Sequence, residues 1–328
     1  HKAQQTKIAI NLKSDKKYIL SGTPILNDYR DIFTQWLFLD SGKRFGDNFF
    51  AFQRKYFYDA NIARHRGNFS DWKIKPGSDK ILKKLMSLDS HRLEKKDCLD
   101  LPDKIYKTVY CDLSPEQQKY YDEIVEDCIT FIDNEKAVST QHALTKLIRL
   151  HQITSGHILP DEDSELHVFK TNPKLSATVD IGEEILTNPG SKLIIWAHFR
   201  HDIEALVEAF KKYNPVHIYG GVKNHGELVK KFQTDPKCRV FVGQPMSAGT
   251  GITLTAANYA IYYSYDFSAG NRAQSEDRCH RIGSERHDSI VYIDIVCKKT
   301  IDEAILKSVR EKKKLSDEVM TYIKEQNK

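Results

Sequence analysis

The chain has 328 residues, enough for two or more domains with cores of their own, and 40% apolar against 29% charged residues is a globular composition. The 50 Lys and Arg residues outnumber the 45 Asp and Glu by only five, which excludes a strongly polybasic or polyacidic chain and leaves room for a local nucleic-acid face. No apolar run approaches the roughly 20 residues of a membrane-spanning helix, no signal-peptide pattern opens the chain, and the six scattered cysteines lack a C-x-x-C pair, so they read as reduced thiols of an intracellular protein.

The sequence opens on His1 without an initiator Met and reads as part of something longer. Thr6 to Leu12 suits a helix. Lys17-Tyr18-Ile19-Leu20 reads as a short strand, and Ser21-Gly22-Thr23-Pro24 turns off its end, because Gly22 permits unusual φ and Pro24 has no N–H to donate. Asn27 to Leu39 has helical periodicity, with Ile32, Phe33 and Trp36 inward. Residues 40–100 look irregular: aromatic first, then basic, with Arg64-His65-Arg66 and Trp72-Lys73-Ile74-Lys75 mixing cations and rings. Such a mixture suits phosphate contact and base stacking, and equally a helix surface with snorkelled side chains.

Leu101-Pro102-Asp103 breaks the pattern, and a domain boundary is expected there, with pieces at 1–40, 41–100 and 101–328. Ile105 to Leu113 alternates as a strand does. Ser114-Pro115-Glu116-Gln117 is a helix start, with a Ser cap, Pro at the first position and Gln at the third. Helices follow to about 155, residues 157–172 read as a loop, and Asn172-Pro173 opens another helix to Leu186. From Lys192 onward strands and helices alternate: a strand to Ala197, a helix from Asp202 to Tyr213, a strand at Val216–Tyr219 ending in Gly220-Gly221, a helix from His225, and a strand at Arg239–Gly243. That order predicts a parallel sheet with helices on both faces, and His198 and Arg200 fall at a strand's C-terminal end, where ligands collect in such sheets. The histidines at 142, 151, 157 and 167 form no ligand spacing, so no metal site is assigned to side chains.

The small-residue stretch Met246 to Ala257 contains Gly249-Thr250-Gly251, where a backbone can approach a ligand closely. An aromatic strand, Asn258 to Tyr265, leads to Gln274-Ser275-Glu276-Asp277-Arg278-Cys279-His280-Arg281-Ile282-Gly283. Arg278 and Arg281 are three apart, so on a helix they share a face and aim two guanidiniums at one point, with Gln274, Glu276 and Asp277 near enough to hold the forks. An exposed charged turn would have a similar composition. A strand at Asp288–Val296 and a long helix from Thr300 to Lys324, carrying Lys312-Lys313-Lys314, close the chain.

This succession of strand, small-residue loop, strand and arginine segment resembles the second motor lobe of the Swi/Snf family, nucleic-acid ATPases of superfamily 2, and within it the bacterial and phage members. The blocks Ser21–Pro24 and Leu101-Pro102-x-Lys104 to Ser114-Pro115-Glu116-Gln117 resemble the family's lobe-ending box and its entry into lobe two, and His1 stands where a D-E-x-H magnesium box would end. The resemblance implies a RecA-like α/β sheet with helices on both faces, a remnant of the first lobe and a helical insertion. It makes Arg278 and Arg281 arginine fingers to ATP, oriented by Gln274 and Asp277. Gly249, Thr250 and Gly251 would join DNA-backbone contact to the nucleotide cleft; Ser247, His198, Arg200 and Gly220 would touch DNA; and Ser21, Gly22 and Thr23 would couple the lobes. Phe267-Ser268-Ala269 replaces the family's Trp-Asn-Pro, Ser284 its Gln, and Met246-Ser247 its Thr-Lys or Thr-Arg, which sets the chain apart from eukaryotic nucleosome remodellers.

No G-x-x-x-x-G-K-[ST] phosphate loop occurs in the 328 residues. The expectation is therefore the C-terminal half of an ATP-dependent double-stranded DNA translocase, cytoplasmic, in a bacterial or phage-infected cell. ATP and Mg²⁺ would be held mainly by a missing N-terminal lobe, and the chain alone would be inactive. A strand-separating helicase or restriction-enzyme motor shares the same lobe, and a non-catalytic interaction module would keep the fold without the chemistry.

Overall fold

The structure, a computed structural model, describes residues 4–22, 24–25, 28–63, 70, 72–133, 140–159, 165–248 and 251–311. The chain divides into two compact units, residues 1–97 and 98–328.

In the first unit, α1 (Gln4–Ile10) leads into an extended stretch. The strand expected at 17–20 does not form: Tyr18 is 78% and Leu20 98% exposed. A strand needs a neighbour for its main-chain hydrogen bonds, and none of the described strands pairs with this stretch. Gly22 keeps an ordinary φ, contrary to expectation, and a Cβ there would meet nothing within 4 Å. Then follow α2 (Ile32–Asp40), α3 (Phe49–Tyr56), β1 (Phe57–Asp59), α4 (Ala60–Ala63), β2 (Trp72–Ile74), α5 (Ser78–Ser87) and α6 (Lys95–Cys98) at the junction. The aromatics expected in an irregular insertion instead build a core against α2. Phe33 lies 5.4 Å from Phe49 and 5.3 Å from Phe52, and Trp36 lies 5.9 Å from Phe45. The expected break at 40/41 thus runs through one core, since ring packing of this kind holds both sides together. Trp72 packs against that core too.

The second unit opens with β3 (Asp103–Cys111) and α7 (Pro115–Asp133). The capping box forms as the residues dictate: Gln117 N–H donates to Ser114 Oγ at 3.3 Å, and Ser114 N–H to Gln117 Oε1 at 3.0 Å. After α8 (Thr140–Ser155), the expected loop contains a short antiparallel pair, β4 (His157–Ile158) with β5 (His167–Val168). Asn172 then caps α9 (Pro173–Leu186), its side chain accepting from Leu175 N–H. Alternation follows through β6 (Leu193–Trp196), α10 (Arg200–Ala209), β7 (Val216–Ile218), α11 (His225–Thr234), β8 (Val240–Gly243), α12 (Pro245–Ala248), β9 (Tyr259–Tyr262), α13 (Ala269–Glu276), β10 (Ser289–Cys297) and α14 (Ile301–Glu311).

Six strands form one parallel sheet in the order β3-β10-β9-β6-β8-β7. Its two faces are covered separately, because side chains alternate along a strand. Ile194 and Trp196 enter one core beneath α7, α8, α11 and α14, while Leu193 and Ile195 enter the other beneath α9 and α10. All four are fully buried, and each such side chain contributes about 1.5–3 kcal/mol. The architecture is the expected RecA-like α/β sheet with helices on both faces. Since every strand runs the same way, the loops after β6, β7, β8 and β9 leave from one edge.

Candidate functional site

The arginine segment is positioned by α13. Ser268 caps the helix, its Oγ accepting from Asn271 N–H at 3.3 Å, and Asp277 is the C-cap. The two arginines expected on the helix therefore lie just beyond it, in turns. Past the C-cap the main chain tightens: Arg278 N–H donates to Ser275 O at 3.2 Å and Cys279 N–H to Glu276 O at 3.3 Å, each three residues back, while Leu254 N–H takes Arg278 O at 2.8 Å. Convergence nevertheless holds. Arg278 Nη1 and Arg281 Nη1 each donate to Ile252 O at 3.3 Å. Arg278 Nε also donates to Gln274 O at 2.9 Å, so Gln274 orients that fork through its carbonyl.

Burial, and next the charge of Arg281, push the Arg278 guanidinium below its ordinary value, while the Asp277 carboxylate opposes them. Two half-buried cations sharing one carbonyl repel, and an anion placed between them relieves the repulsion. Gly251 precedes Ile252 with φ of +74°, a conformation that strains any residue with a Cβ. Gly249 and Thr250 lie outside the described residues.

Behind the arginines, an ionic network anchors the end of α13. Glu276 accepts from Arg272 Nε at 2.8 Å, Lys104 Nζ at 3.0 Å and Tyr106 Oη at 2.8 Å. Arg272 also bridges to Asp294 on β10 at 2.5 Å and lies 3.5 Å over the Tyr262 ring. Burial alone would raise the Glu276 carboxyl, but the Arg272 and Lys104 charges outweigh it and hold it below its ordinary value. Sequence reasoning placed Glu276 near the forks and missed its partners.

The four DNA-contact candidates gather at the C-terminal edge of the sheet. His198 follows β6, Gly220 follows β7, and Ser247 lies on α12 after β8. Gln244, which sequence reasoning also missed, links them: its Nε2 donates to His198 O at 2.9 Å, and its Oε1 accepts from Ser247 Oγ at 2.9 Å. A Cβ at Gly220 would lie 3.8 Å from Ser247 Oγ. Exposed Arg200 lies 5.1 Å over the Tyr219 ring and bonds Glu204 at 2.8 Å. His198 N–H donates to Ser264 Oγ at 2.7 Å, and that hydroxyl donates to buried Asp202 at 2.6 Å. Burial lowers the His198 imidazole, so at neutral pH it is an uncharged group.

Ser21 and Gly22 lie in the first unit; Thr23 is outside the described residues, as are His1, Arg64 to Arg66 and Lys312 to Lys314. Among the described residues no group of three or more His, Cys, Asp or Glu is arranged to hold a metal, and no helix is long and apolar enough to cross a membrane. The arginine pair offers converging guanidinium donors to an anion, and the second unit's edge residues offer a hydroxyl, a guanidinium and a neutral imidazole.

Known proteins resemble the chain along most of its length. An SNF2-related domain matches residues 1–157 and a helicase conserved C-terminal domain residues 176–283. A protein named as an ATP-dependent helicase in Mycoplasma genitalium is 28% identical over 318 residues, covering 94% of this chain and 28% of the relative. A Caenorhabditis elegans homolog of SWI/SNF-related matrix-associated actin-dependent regulator of chromatin subfamily A-like protein 1 is 28% identical over 325 residues, 95% of this chain and 42% of its own. The chain therefore spans less than half the length of either relative. The Sulfolobus solfataricus SWI2/SNF2 ATPase core, solved in complex with double-stranded DNA, superposes with a TM-score of 0.51 at 27% identity, over 94% of this chain and 63% of that one. The chain thus carries an SNF2-related domain followed by a helicase conserved C-terminal domain, which together make up the C-terminal part of an SNF2-family ATPase core.

Proposed function

We propose that the chain is the C-terminal half of an ATP-dependent double-stranded DNA translocase of Swi/Snf type. The observation that carries this reading is the meeting of Arg278 and Arg281 on Ile252 O. ATP supplies a phosphoryl group whose charge spreads over its oxygens during transfer. Arg278 and Arg281 offer the N–H groups that balance this charge. Gln274 O and the Asp277 carboxylate hold the first fork in line, and the absent Cβ of Gly251 lets the main chain come close. The phosphate cradle and the Mg²⁺ ligands belong to a preceding motor lobe, and Ser21, Gly22 and Thr23 transmit between the lobes. Gly249 and Thr250 join the nucleotide end of the loop to its DNA end.

On the DNA side, Ser247, Arg200, His198 and Gly220 supply a hydroxyl, a guanidinium, a neutral imidazole and an unobstructed backbone. Such groups bind phosphate oxygens without reading sequence. The double-stranded DNA held by the Sulfolobus relative supports a duplex as substrate.

The test uses the full-length protein with ATP on two DNA substrates. Displacement of a third strand from a triplex, without separation of a forked duplex, is the expected result. Unwinding of the fork would replace this reading with a strand-separating helicase. Movement on neither substrate, together with no DNA-stimulated ATP hydrolysis, would leave an interaction module.

A further inference from the structure

Two thiols face each other in the second unit, where β3 and β10 end. Cys111 ends β3 and Cys297 ends β10, and the two are register partners in a parallel pair. Their sulfurs are 3.5 Å apart, although the residues are 186 apart in sequence. Register partners project to the same face of a sheet, and neighbouring strands lie about 4.8 Å apart, inside the roughly 4.4–6.8 Å Cα separation that a disulfide spans. Forming the bond asks the sulfurs to approach by about 1.5 Å.

Position and surroundings divide the roles. β3 is the edge strand of the sheet, and Cys111 is followed by Asp112, whose side chain is 78% exposed. Cys111 itself is 9% exposed and Cys297 1%. The hydrogen bond from Cys297 lowers the Cys111 thiol, and the nearby Lys174 ammonium adds to the effect. That ammonium is fixed by a fully buried ion pair with Asp302 at 2.6 Å. Buried Cys279 differs: it meets the Tyr292 hydroxyl at 3.5 Å, and burial pushes its thiol up to about 11.

We propose that Cys111 and Cys297 form a redox-active dithiol, which a peroxide converts into a cross-strand disulfide. The Cys111 thiolate attacks one peroxide oxygen, the O–O bond breaks, and the departing oxygen leaves as water with the proton Cys111 released. Cys111 is then a sulfenic acid. The Cys297 sulfur attacks the Cys111 sulfur, the S–S bond forms, and the S–O bond breaks to release a second water with the Cys297 proton. Two thiols are oxidised and one peroxide is reduced to two waters. The bond pins the edge strand to the sheet and closes a long loop, which raises stability.

The chain is treated with hydrogen peroxide, then mapped by mass spectrometry without reduction and melted. The expected product is lighter by about two mass units, carries one linked peptide pair joining Cys111 to Cys297, melts at a higher temperature and reverts with dithiothreitol. In Cys297→Ala, Cys111 should stop at the sulfenic acid and be trapped by dimedone. Exposed Cys98 serves as the internal control for oxidant. Oxidation of Cys98 while Cys111 and Cys297 remain thiols, or a link from Cys111 to another cysteine, overturns the proposal, and the unsubstituted chain alone gives that answer.

Discussion

Ile252 is an apolar residue whose contribution to the site is its carbonyl. Arg278 and Arg281 each give it one N–H, and a guanidinium has five to give, so both forks keep donors for a ligand. His151 shows how burial sets a charge. It is fully buried, its Nε2 accepts from Tyr265 N–H at 3.2 Å, and burial followed by the Lys174 charge holds its imidazole well below the ordinary value, with His198 and His157 adding to the repulsion. The unfolded chain takes up a proton there near pH 6.5 that the fold refuses. Below that pH the unfolded state binds more protons, so stability falls as the pH drops. The melting temperature should fall between pH 7.5 and 5.5, and His151→Gln, which keeps an acceptor for Tyr265, should lose less over the same interval. Equal losses in both proteins would contradict this.

At the scale of elements, α13 matters for where it stops. Glu276 is held by Lys104 and Tyr106 from β3 and by Arg272, which Asp294 on β10 holds in turn. Removing one partner of a buried ion pair leaves the other uncompensated and costs about 3–5 kcal/mol. Asp294→Asn should destabilise the second unit by that order in urea unfolding, while Ser114→Ala, which removes only a helix cap, should cost about 1 kcal/mol. The Glu276 carboxyl is lowered in the fold, so its stabilisation is present above the unfolded value near 4.3 and is lost as the pH falls through its folded value. Glu276→Gln should flatten the acid limb of the stability curve, as followed by tryptophan fluorescence, and an unchanged limb would count against the network.

The cap at Ser114 and the Asn172 helix start were legible because both signals are local. Glu276's partners were not: Lys104 lies 172 residues away and Tyr106 170, and only the strand order brings them together. Gln244 escaped for the same reason. It meets His198 because Gly243 pairs with Trp196 across β8 and β6, whereas in sequence β7 intervenes. The helix expected through Arg281 ends early in tighter turns, and the Arg278 carbonyl is met instead by Leu254 from the loop before β9, a contact that helical periodicity does not announce.

Over the whole molecule, period and punctuation in the sequence foretold the parallel sheet and its two covered faces, since buried parallel strands read as short apolar runs between helices. The strand at 17–20 failed because a strand is a property of its neighbours. Binding of duplex DNA by the full-length protein should be indifferent to sequence and weaken at least about tenfold between 50 and 200 mM salt, as phosphate contacts release counterions. A flat salt response in fluorescence anisotropy would oppose that interface. The chain alone, lacking a phosphate loop, should show no DNA-stimulated phosphate release; measured turnover would refute this. The most direct measurement is single-turnover ATP hydrolysis by the full-length, DNA-bound protein carrying Arg278→Lys, Arg281→Lys or both. Since a guanidinium finger accelerates the step by about 10³-fold or more, each substitution should cut the rate by at least about a hundredfold with little change in ATP affinity, and the pair should lose less than the product of the single losses. Rates within about twofold of the unsubstituted protein would contradict a role for these arginines at the phosphates.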